Sequence, residues 1–259
     1  MNVMRPTHGF SLVETAVVLL IFGAIASMAI VGGSAWLETQ KQTSTRDKIE
    51  VIHNALQNYY RVYGRLPCPS DYTLATNNAN WALEANSPTA GDECRGGTIV
   101  ANRTNMDTNV VFGGFPVRTL GIEDQMAFDG WESAFVYYVD KRLTVAGTLL
   151  KGSANYIAPD EPAGAISILI AANNMTNPIT TTAAYAVVSM GANRHGGRTS
   201  SGATVNNNLS TNDELENCEC SAGGALQGAS TWDDQLVSRL KTTDGFDDIV
   251  SFKLRRQMW

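Results

Sequence analysis

The sequence is poor in charge, and the charge it has does not favour a nucleic-acid ligand. Charged residues make up 17 % of the 259 residues, and 25 acidic residues outnumber 19 basic ones, for a formal net charge of −6. No basic tract occurs along the chain. Since nucleic-acid binding relies on clustered lysine and arginine side chains, we expect no nucleic-acid partner.

Histidine is scarce, and the common catalytic motifs are missing. The sequence contains no His-Glu-x-x-His, no Gly-x-Ser-x-Gly and no phosphate-binding glycine loop. His8 lies near the N-terminus, His53 is predicted on a helix surface, and His195 lies in a glycine-rich turn. Arg103 and Arg118 could in principle flank a catalytic pair of carboxylates, but nothing in their spacing indicates such a pair. We therefore predict that the protein is not an enzyme, with a membrane-anchored enzyme as the alternative.

Cysteine is limited to four residues, Cys68, Cys94, Cys218 and Cys220. An even number in an exported domain favours disulfides, while free thiols and a zinc site are the alternatives. Cys68 with Cys94 would close a polar loop. Cys218 and Cys220 are not expected to bridge to each other, because cysteines two apart in an extended chain are poorly placed for disulfide geometry.

What the sequence does contain is a long uncharged segment near its N-terminus. Residues 16–37 hold no charged side chain, and about twenty helical residues cross a bilayer core. The segment is longer than the apolar core of a cleavable secretory signal, so we predict a membrane-spanning helix over residues 10–37. Because Arg5 precedes this span, the remainder of the chain is expected in the periplasm or outside the cell.

The same helix is predicted to continue beyond the span. Residues 10–63 contain no proline, and apolar residues recur at steps of three and four, which is typical of an amphipathic helix. These residues are Ile49, Ile52, Leu56, Tyr59 and Tyr63. Gly64 and Pro67 are expected to end the helix. We therefore predict an amphipathic half at residues 38–64 and a globular domain at residues 65–259.

The residues directly ahead of the apolar run form a recognisable signal. They read Gly9-Phe10-Ser11-Leu12-Val13-Glu14. An ionised carboxylate such as that of Glu14 costs free energy in a membrane, which indicates that its charge has a function. The Gly-Phe junction, the offset of Glu14, the short leader at residues 1–9 and the long helix together resemble the class III signal of type IV pilins and type II secretion pseudopilins. An ordinary signal anchor with a chance glutamate is the alternative.

This resemblance implies how the N-terminus is processed and used. Prepilin peptidase would cleave after Gly9, and the new N-terminal residue Phe10 would be N-methylated. Glu14 would then neutralise the N-terminal ammonium of a neighbouring subunit, since opposite charges attract strongly in a low-dielectric helix bundle. The implied partners are other pilin or pseudopilin subunits and an inner-membrane assembly platform. The precursor would be a single-pass protein of the bacterial inner membrane.

The predicted fold is α+β, with the long N-terminal helix packed on a mainly antiparallel β-sheet, as in pilins. Residues 71–109 read as a long polar excursion. Strands are predicted at residues 134–139, 165–171, 184–189 and 246–254, and a short helix at residues 231–240.

Three segments of the globular domain also resemble pseudopilins. Asp129-Gly130-Trp131 followed by Tyr137-Tyr138 is similar to their Asp-x-Trp-Gly…Tyr segment, although Glu132 stands where glycine is usual. Residues 189–193 with Gly196-Gly197 are similar to a Ser-x-Gly-x-Asp/Asn-Gly turn. Asp247-Asp248-Ile249 is similar to an Asp-Asp-Ile ending.

Calcium is the one cofactor that this resemblance suggests. Major pseudopilins bind calcium in a late loop through carboxylates and carbonyls, which suit a hard cation. Asp244, Asp247 and Asp248 are the candidate ligands here. The turn at residues 191–202 holds two arginines, a histidine and no acid, so solvated turn carboxylates are the alternative.

The predicted function is that of a minor pilin or pseudopilin, because a mature chain of about 250 residues is longer than many major pilins. A type IV pilus, a conjugative pilus and a type II secretion pseudopilus are all compatible with the motifs. The alternative function is a periplasmic adhesion or binding domain on a pilin-type anchor. Trp81, Trp232 and Trp259 would then form the binding surface, unless Trp131 and Trp232 are core residues.

Overall fold

The computed structural model describes residues 11–85, 94, 110–158, 165–172, 174–207, 211–221, 234–239 and 245–258, apart from the side chains of residues 24–34. The chain divides into two compact units, residues 1–41 and 42–259. The helices and strands are α1 (Leu12–Tyr63), β1 (Val110–Gly114), β2 (Val136–Asp140), β3 (Ile166–Leu169), β4 (Thr180–Ser189), α2 (Asn212–Cys218), β5 (Gln235–Val237) and β6 (Ile249–Leu254). Short 3-10 helices lie at Asp124–Ala127, Lys141–Thr144 and Arg255–Gln257.

Helix α1 confirms the long helix that the sequence predicts. It ends at Tyr63 because Gly64 adopts a left-handed conformation, with φ of 65°, and donates its N–H to the carbonyl of Tyr60 at 2.8 Å. The predicted apolar stripe is buried at four of its positions, Ile49, Ile52, Leu56 and Tyr59. The fifth position was predicted wrongly, because Tyr63 in the last turn is 56 % exposed and Tyr60 is buried instead.

The first part of α1 differs from this buried stripe. The side chains of residues 11–23 are all exposed. In the part of the chain that the structure describes, no helix combines the length and the apolarity that membrane crossing demands.

The sheet confirms the α+β class, but its strands are mixed in direction. Strand order is β1-β2-β4-β3-β5, and β6 also pairs with β4. All pairs are antiparallel except β3 with β5, which are parallel. Strands β2, β3, β4 and β6 lie within or overlap the four predicted segments, whereas β1 was not predicted.

The predicted helix at residues 231–240 is wrong over its described part. Residues 235–237 form strand β5, paired with Ser167, Ile168 and Leu169 of β3. Leu236 packs in one apolar cluster and its neighbour Val237 in another. Successive side chains that enter different clusters are typical of a strand, in which they alternate between the two faces.

The sheet is covered on both faces. On one face, Ile52 and Leu56 of α1 pack in a cluster with Tyr137 and Val187. On the other face, residues of β2 and β4 that alternate with these share a cluster with the end of α2. That cluster includes Tyr138, Ala186, Val188, Cys218, Cys220 and Leu236.

Candidate functional site

Glu14 lies in the first turn of α1 and its side chain is exposed. The turn is regular, because the Thr15 N–H donates to the carbonyl of Ser11 at 3.1 Å and the Thr15 hydroxyl donates to that of Leu12 at 2.9 Å. A carboxylate is favoured at this end of a helix by the helix dipole. The two predicted processing residues, Gly9 and Phe10, lie outside the described residues.

Exposed apolar side chains lie along the same part of the helix. Leu12 is 88 % exposed, Leu20 is 73 % exposed and Phe22 is 68 % exposed. If other helices cover these side chains and exclude water, a carboxylate among them can form an ion pair much stronger than one at an aqueous surface. The same carboxylate is costly there without a cation.

Two of the three pseudopilin-like segments meet at Asp129. The buried Asp129 carboxylate accepts the N–H groups of Trp131 and Ser133 through Oδ1, both at 2.9 Å, and the Ser189 hydroxyl through Oδ2 at 2.6 Å. Burial raises the pKa of Asp129, and these three hydrogen bonds act against the rise. Asp129 therefore holds the turn at residues 129–133 against the end of β4.

Glu132 stands where the similar pseudopilin segment has glycine, and its backbone is left-handed. Its φ is 64°, in the left-handed region that glycine adopts easily. Arg194 supports this turn, because its Nη2 donates to the carbonyl of Glu132 and its Nε to the hydroxyl of Ser133, both at 2.9 Å.

Two of the three calcium candidates, Asp247 and Asp248, belong to a cluster of three carboxylates. Glu214, Asp247 and Asp248 each offer an oxygen within 4.8 Å of the others. Asp244 lies outside the described residues. Glu214 was not predicted as a site residue, although Thr211-x-x-Glu214 is a capping-box pattern. The Glu214 N–H donates to the Thr211 hydroxyl at 3.3 Å, and the Thr211 N–H donates to the Glu214 carboxylate at 2.9 Å.

The carboxylates of this cluster hold the turn after β4. Asp247 accepts the backbone N–H of Asn193 at 2.9 Å, and Glu214 accepts the side-chain amide of Asn193 at 2.9 Å. Burial raises the pKa of Asp248 well above its usual value, although a hydrogen bond from the Asn217 amide opposes this. Nearby Glu214 and Asp247 raise it further. This geometry agrees with turn carboxylates that cap amides, and calcium binding stays a prediction.

Both pairs of cysteines form disulfides. The bond between Cys68 and Cys94 agrees with the predicted loop closure and has a Cα–Cα distance of 5.8 Å. The bond between Cys218 and Cys220 contradicts the prediction that these two do not bridge. The prediction assumed extended backbone, but Glu219 ends α2 in a left-handed conformation, with φ of 50° and ψ of 41°, which brings the two Cα atoms to 5.1 Å.

His53 faces the sheet rather than solvent, which corrects its predicted helix-surface position. Nδ1 lies 2.9 Å from the Tyr185 hydroxyl and Nε2 lies 2.8 Å from the Ser251 hydroxyl. Burial, together with the positive charge of the nearby Lys253, lowers the pKa of His53 to about 4. His53 therefore links α1 to β4 and β6 as a neutral imidazole.

Trp81 was predicted to form part of a binding surface, but it does not lie on the surface. Trp81 is buried, stacks on Phe128 with ring centroids 5.8 Å apart, and lies under the Arg118 guanidinium at 4.9 Å. Trp131 is buried, which agrees with the alternative interpretation that it is a core residue. Trp232, Trp259, His8 and Arg103 lie outside the described residues.

Comparison with known proteins identifies one feature, at the N-terminus. The prokaryotic N-terminal methylation motif matches residues 4–30, which include the Gly9-Phe10 junction, Glu14 and the start of α1. Neither the curated proteins nor the solved structures give a match to the chain. Residues 4–30 therefore carry the class III signal found in type IV pilins and pseudopilins.

Proposed function

We propose that this chain is a structural subunit of a type IV-type pilus or of a type II secretion pseudopilus. The methylation motif points to a pilin-like subunit that prepilin peptidase processes and that assembles with other pilins. In this proposal cleavage falls between Gly9 and Phe10. Residues 10–37 anchor the precursor in the inner membrane, and the domain at residues 65–259 lies in the periplasm.

The exposed Glu14 among exposed apolar side chains is the observation that supports assembly. The side chains on either side of it along α1, including Leu12 and Val17, are also exposed. Helices that pack through such side chains would enclose Glu14 in a medium of low dielectric constant. We propose that the amine of Phe10 in a neighbouring subunit neutralises Glu14 there, since each charge alone would be costly.

Within the family we favour a minor subunit. The chain length favours a minor pilin of a type IV or conjugative pilus, whereas the Asp129 turn and the Asp247-Asp248-Ile249 ending favour a pseudopilus. Both assignments use the same N-terminal chemistry, so one experiment tests that chemistry for either.

The test is the substitution Glu14→Ala in the full chain, produced together with its assembly machinery. We expect the variant to accumulate in the membrane fraction and to be lost from sheared filaments. Glu50→Ala is the matched control, since Glu50 is another exposed glutamate of α1, and it should be incorporated normally. Normal incorporation of Glu14→Ala would contradict the proposed ion pair.

A further inference from the structure

Three side chains that can bind a soft metal ion converge behind the sheet. His195, Cys218 and Cys220 each offer a ligand atom, and these atoms lie within 4.8 Å of one another. All three residues are buried. His195 comes from the turn after β4, whereas the two cysteines flank the C-terminal end of α2.

The backbone beside the two sulfur atoms approaches them closely. Gly196 has φ of 73°, and a Cβ atom at this position would lie 2.8 Å from both Sγ atoms. Real Cβ contacts of that length are essentially not observed, so Gly196 allows the His195 turn to sit directly on the cysteine pair.

The hydrogen bonds of His195 fix its tautomer. The backbone N–H of Asn207 donates to Nδ1 at 3.2 Å, so Nδ1 must hold a lone pair. Nε2 then carries the proton and donates it to the carbonyl of Ser221 at 3.1 Å. A histidine that binds metal through one nitrogen commonly donates its other N–H to a carbonyl in this way. The nitrogen of His195 with a lone pair is therefore Nδ1, and a metal ion bound there would replace the hydrogen bond from the Asn207 N–H.

Of the two disulfides, Cys218–Cys220 is expected to stabilise the fold less, because it closes the shorter loop. The sequence separation is 2 for Cys218–Cys220 and 26 for Cys68–Cys94. A shorter loop restricts the unfolded chain less, so bond formation stabilises the fold less. The bond also requires the non-glycine residue Glu219 in a left-handed conformation.

We propose that Cys218, Cys220 and His195 form a zinc site when the Cys218–Cys220 bond is reduced. A dithiol reductant supplies two electrons and two protons and is itself oxidised to a disulfide, while the S–S bond breaks and two thiols form. Zn²⁺ then displaces one proton from each thiol and binds both thiolates together with Nδ1 of His195, where it replaces the hydrogen bond from the Asn207 N–H. Three protein ligands leave one position of a tetrahedral zinc ion for water.

The donor atoms favour zinc over the hard cations. Thiolate and imidazole ligands select zinc and other soft ions, whereas calcium and magnesium prefer oxygen. This site is separate from the carboxylate cluster of Glu214, Asp247 and Asp248. Metal binding and the disulfide are alternative states of the same cysteine pair, so the redox state would decide which one forms.

The test compares the four cysteines of the full chain with one another. The protein is reduced with dithiothreitol, desalted under anaerobic conditions, and alkylated with iodoacetamide with and without Zn²⁺. Peptide mapping then gives the alkylation of each cysteine. We expect Zn²⁺ to protect Cys218 and Cys220 and to leave the alkylation of Cys68 and Cys94 unchanged. Equal protection at all four cysteines, or protection at none, overturns the proposal.

A histidine variant separates the proposed site from a thiol pair that binds metal alone. His195→Ala should raise the Zn²⁺ concentration needed for half protection by at least about tenfold, as the loss of even an outer ligand partner does. His53→Ala is the matched control and should leave this concentration unchanged. If His195→Ala and wild type need the same concentration, His195 is not a ligand and the proposal is wrong. The wild-type protection pattern stands as a test even if the variant does not fold.

Discussion

The two parts of helix α1 expose their apolar side chains very differently. In residues 42–63 the stripe at Ile49, Ile52 and Leu56 is buried against the sheet of the same chain. In residues 11–23 every side chain is exposed, including those of Leu19 and Leu20. One continuous helix therefore carries a buried apolar stripe in its second part and exposed apolar side chains in its first part.

This difference indicates what each part of the helix is for. The second part contributes to the stability of the domain, because unfolding exposes its buried apolar side chains to water. The first part presents apolar surface and one carboxylate, which is what a membrane anchor and filament core would use. Substitutions in the second part should therefore change folding, and substitutions in the first part should change assembly.

The largest stability effect is expected for Leu56→Ala. Leu56 is 1 % exposed, and truncation of such a buried leucine costs about 2–5 kcal/mol of unfolding free energy. Leu20→Ala is the matched substitution in the first part and should change the stability of the domain by less than about 0.5 kcal/mol. Denaturant unfolding of the full chain in detergent measures both. Equal losses would remove the distinction between the two parts.

A covalent link close to the end of the second part should matter nearly as much. Cys68 lies four residues beyond Gly64, and its bond to Cys94 closes a loop with a sequence separation of 26. Loop-closure entropy predicts a loss of about 3.5 kcal/mol for the Cys68→Ala/Cys94→Ala variant. The same treatment predicts only about 1.6 kcal/mol for Cys218→Ala/Cys220→Ala, whose separation is 2. A larger loss for the second pair would contradict this order.

The burial of His53 should make the contact of the second part of α1 with the sheet sensitive to acid. The pKa of His53 is about 4 in the folded protein and 6.5 in a model peptide. Between these values the unfolded chain binds the proton and the folded chain does not, so stability falls as the pH drops from 6.5 towards 4. The contribution is fully present above pH 6.5, and at most about 3 kcal/mol is lost.

The pH effect of His53 is isolated by a difference measurement. Buried Asp129 and Asp248 have raised pKa values, so their contributions change with pH in the opposite direction. These contributions cancel when the unfolding free energy of wild type is compared with that of His53→Gln at each pH. The stability advantage of wild type should shrink from pH 6.5 to pH 4. An advantage that stays constant over this range would show that His53 does not titrate as proposed.

The parts of the fold that could be predicted are those with local causes. The helix from Leu12 to Tyr63 follows from unbroken periodicity and ends at Gly64, whose effect is local. The aromatic and β-branched residues of β2 were sufficient to place a strand near residues 134–139. The N-terminal signal is a short continuous motif, so it was recognised from the sequence and its match to residues 4–30 confirms it.

The parts that could not be predicted depend on neighbours distant in sequence. Residues 235–237 form a strand because β3 lies beside them, not because of their own pattern. The Cys218–Cys220 bond depends on the left-handed conformation of Glu219 at a helix end that was not predicted. The contact of His53 with Tyr185 and Ser251 links segments more than 130 residues apart. Only Glu214 had a local signal that was overlooked, its capping box with Thr211.

The most direct test of the central claim is the N-terminal residue of the mature protein. Edman sequencing and intact mass should be measured on the chain purified from cells that contain prepilin peptidase, with peptidase-deficient cells as the control. We predict that the mature chain begins at Phe10 and carries one methyl group on its amine, and that the control retains residues 1–9. A mature chain that begins at any other residue would contradict the proposed processing and, with it, the pairing of Glu14 with the amine of Phe10.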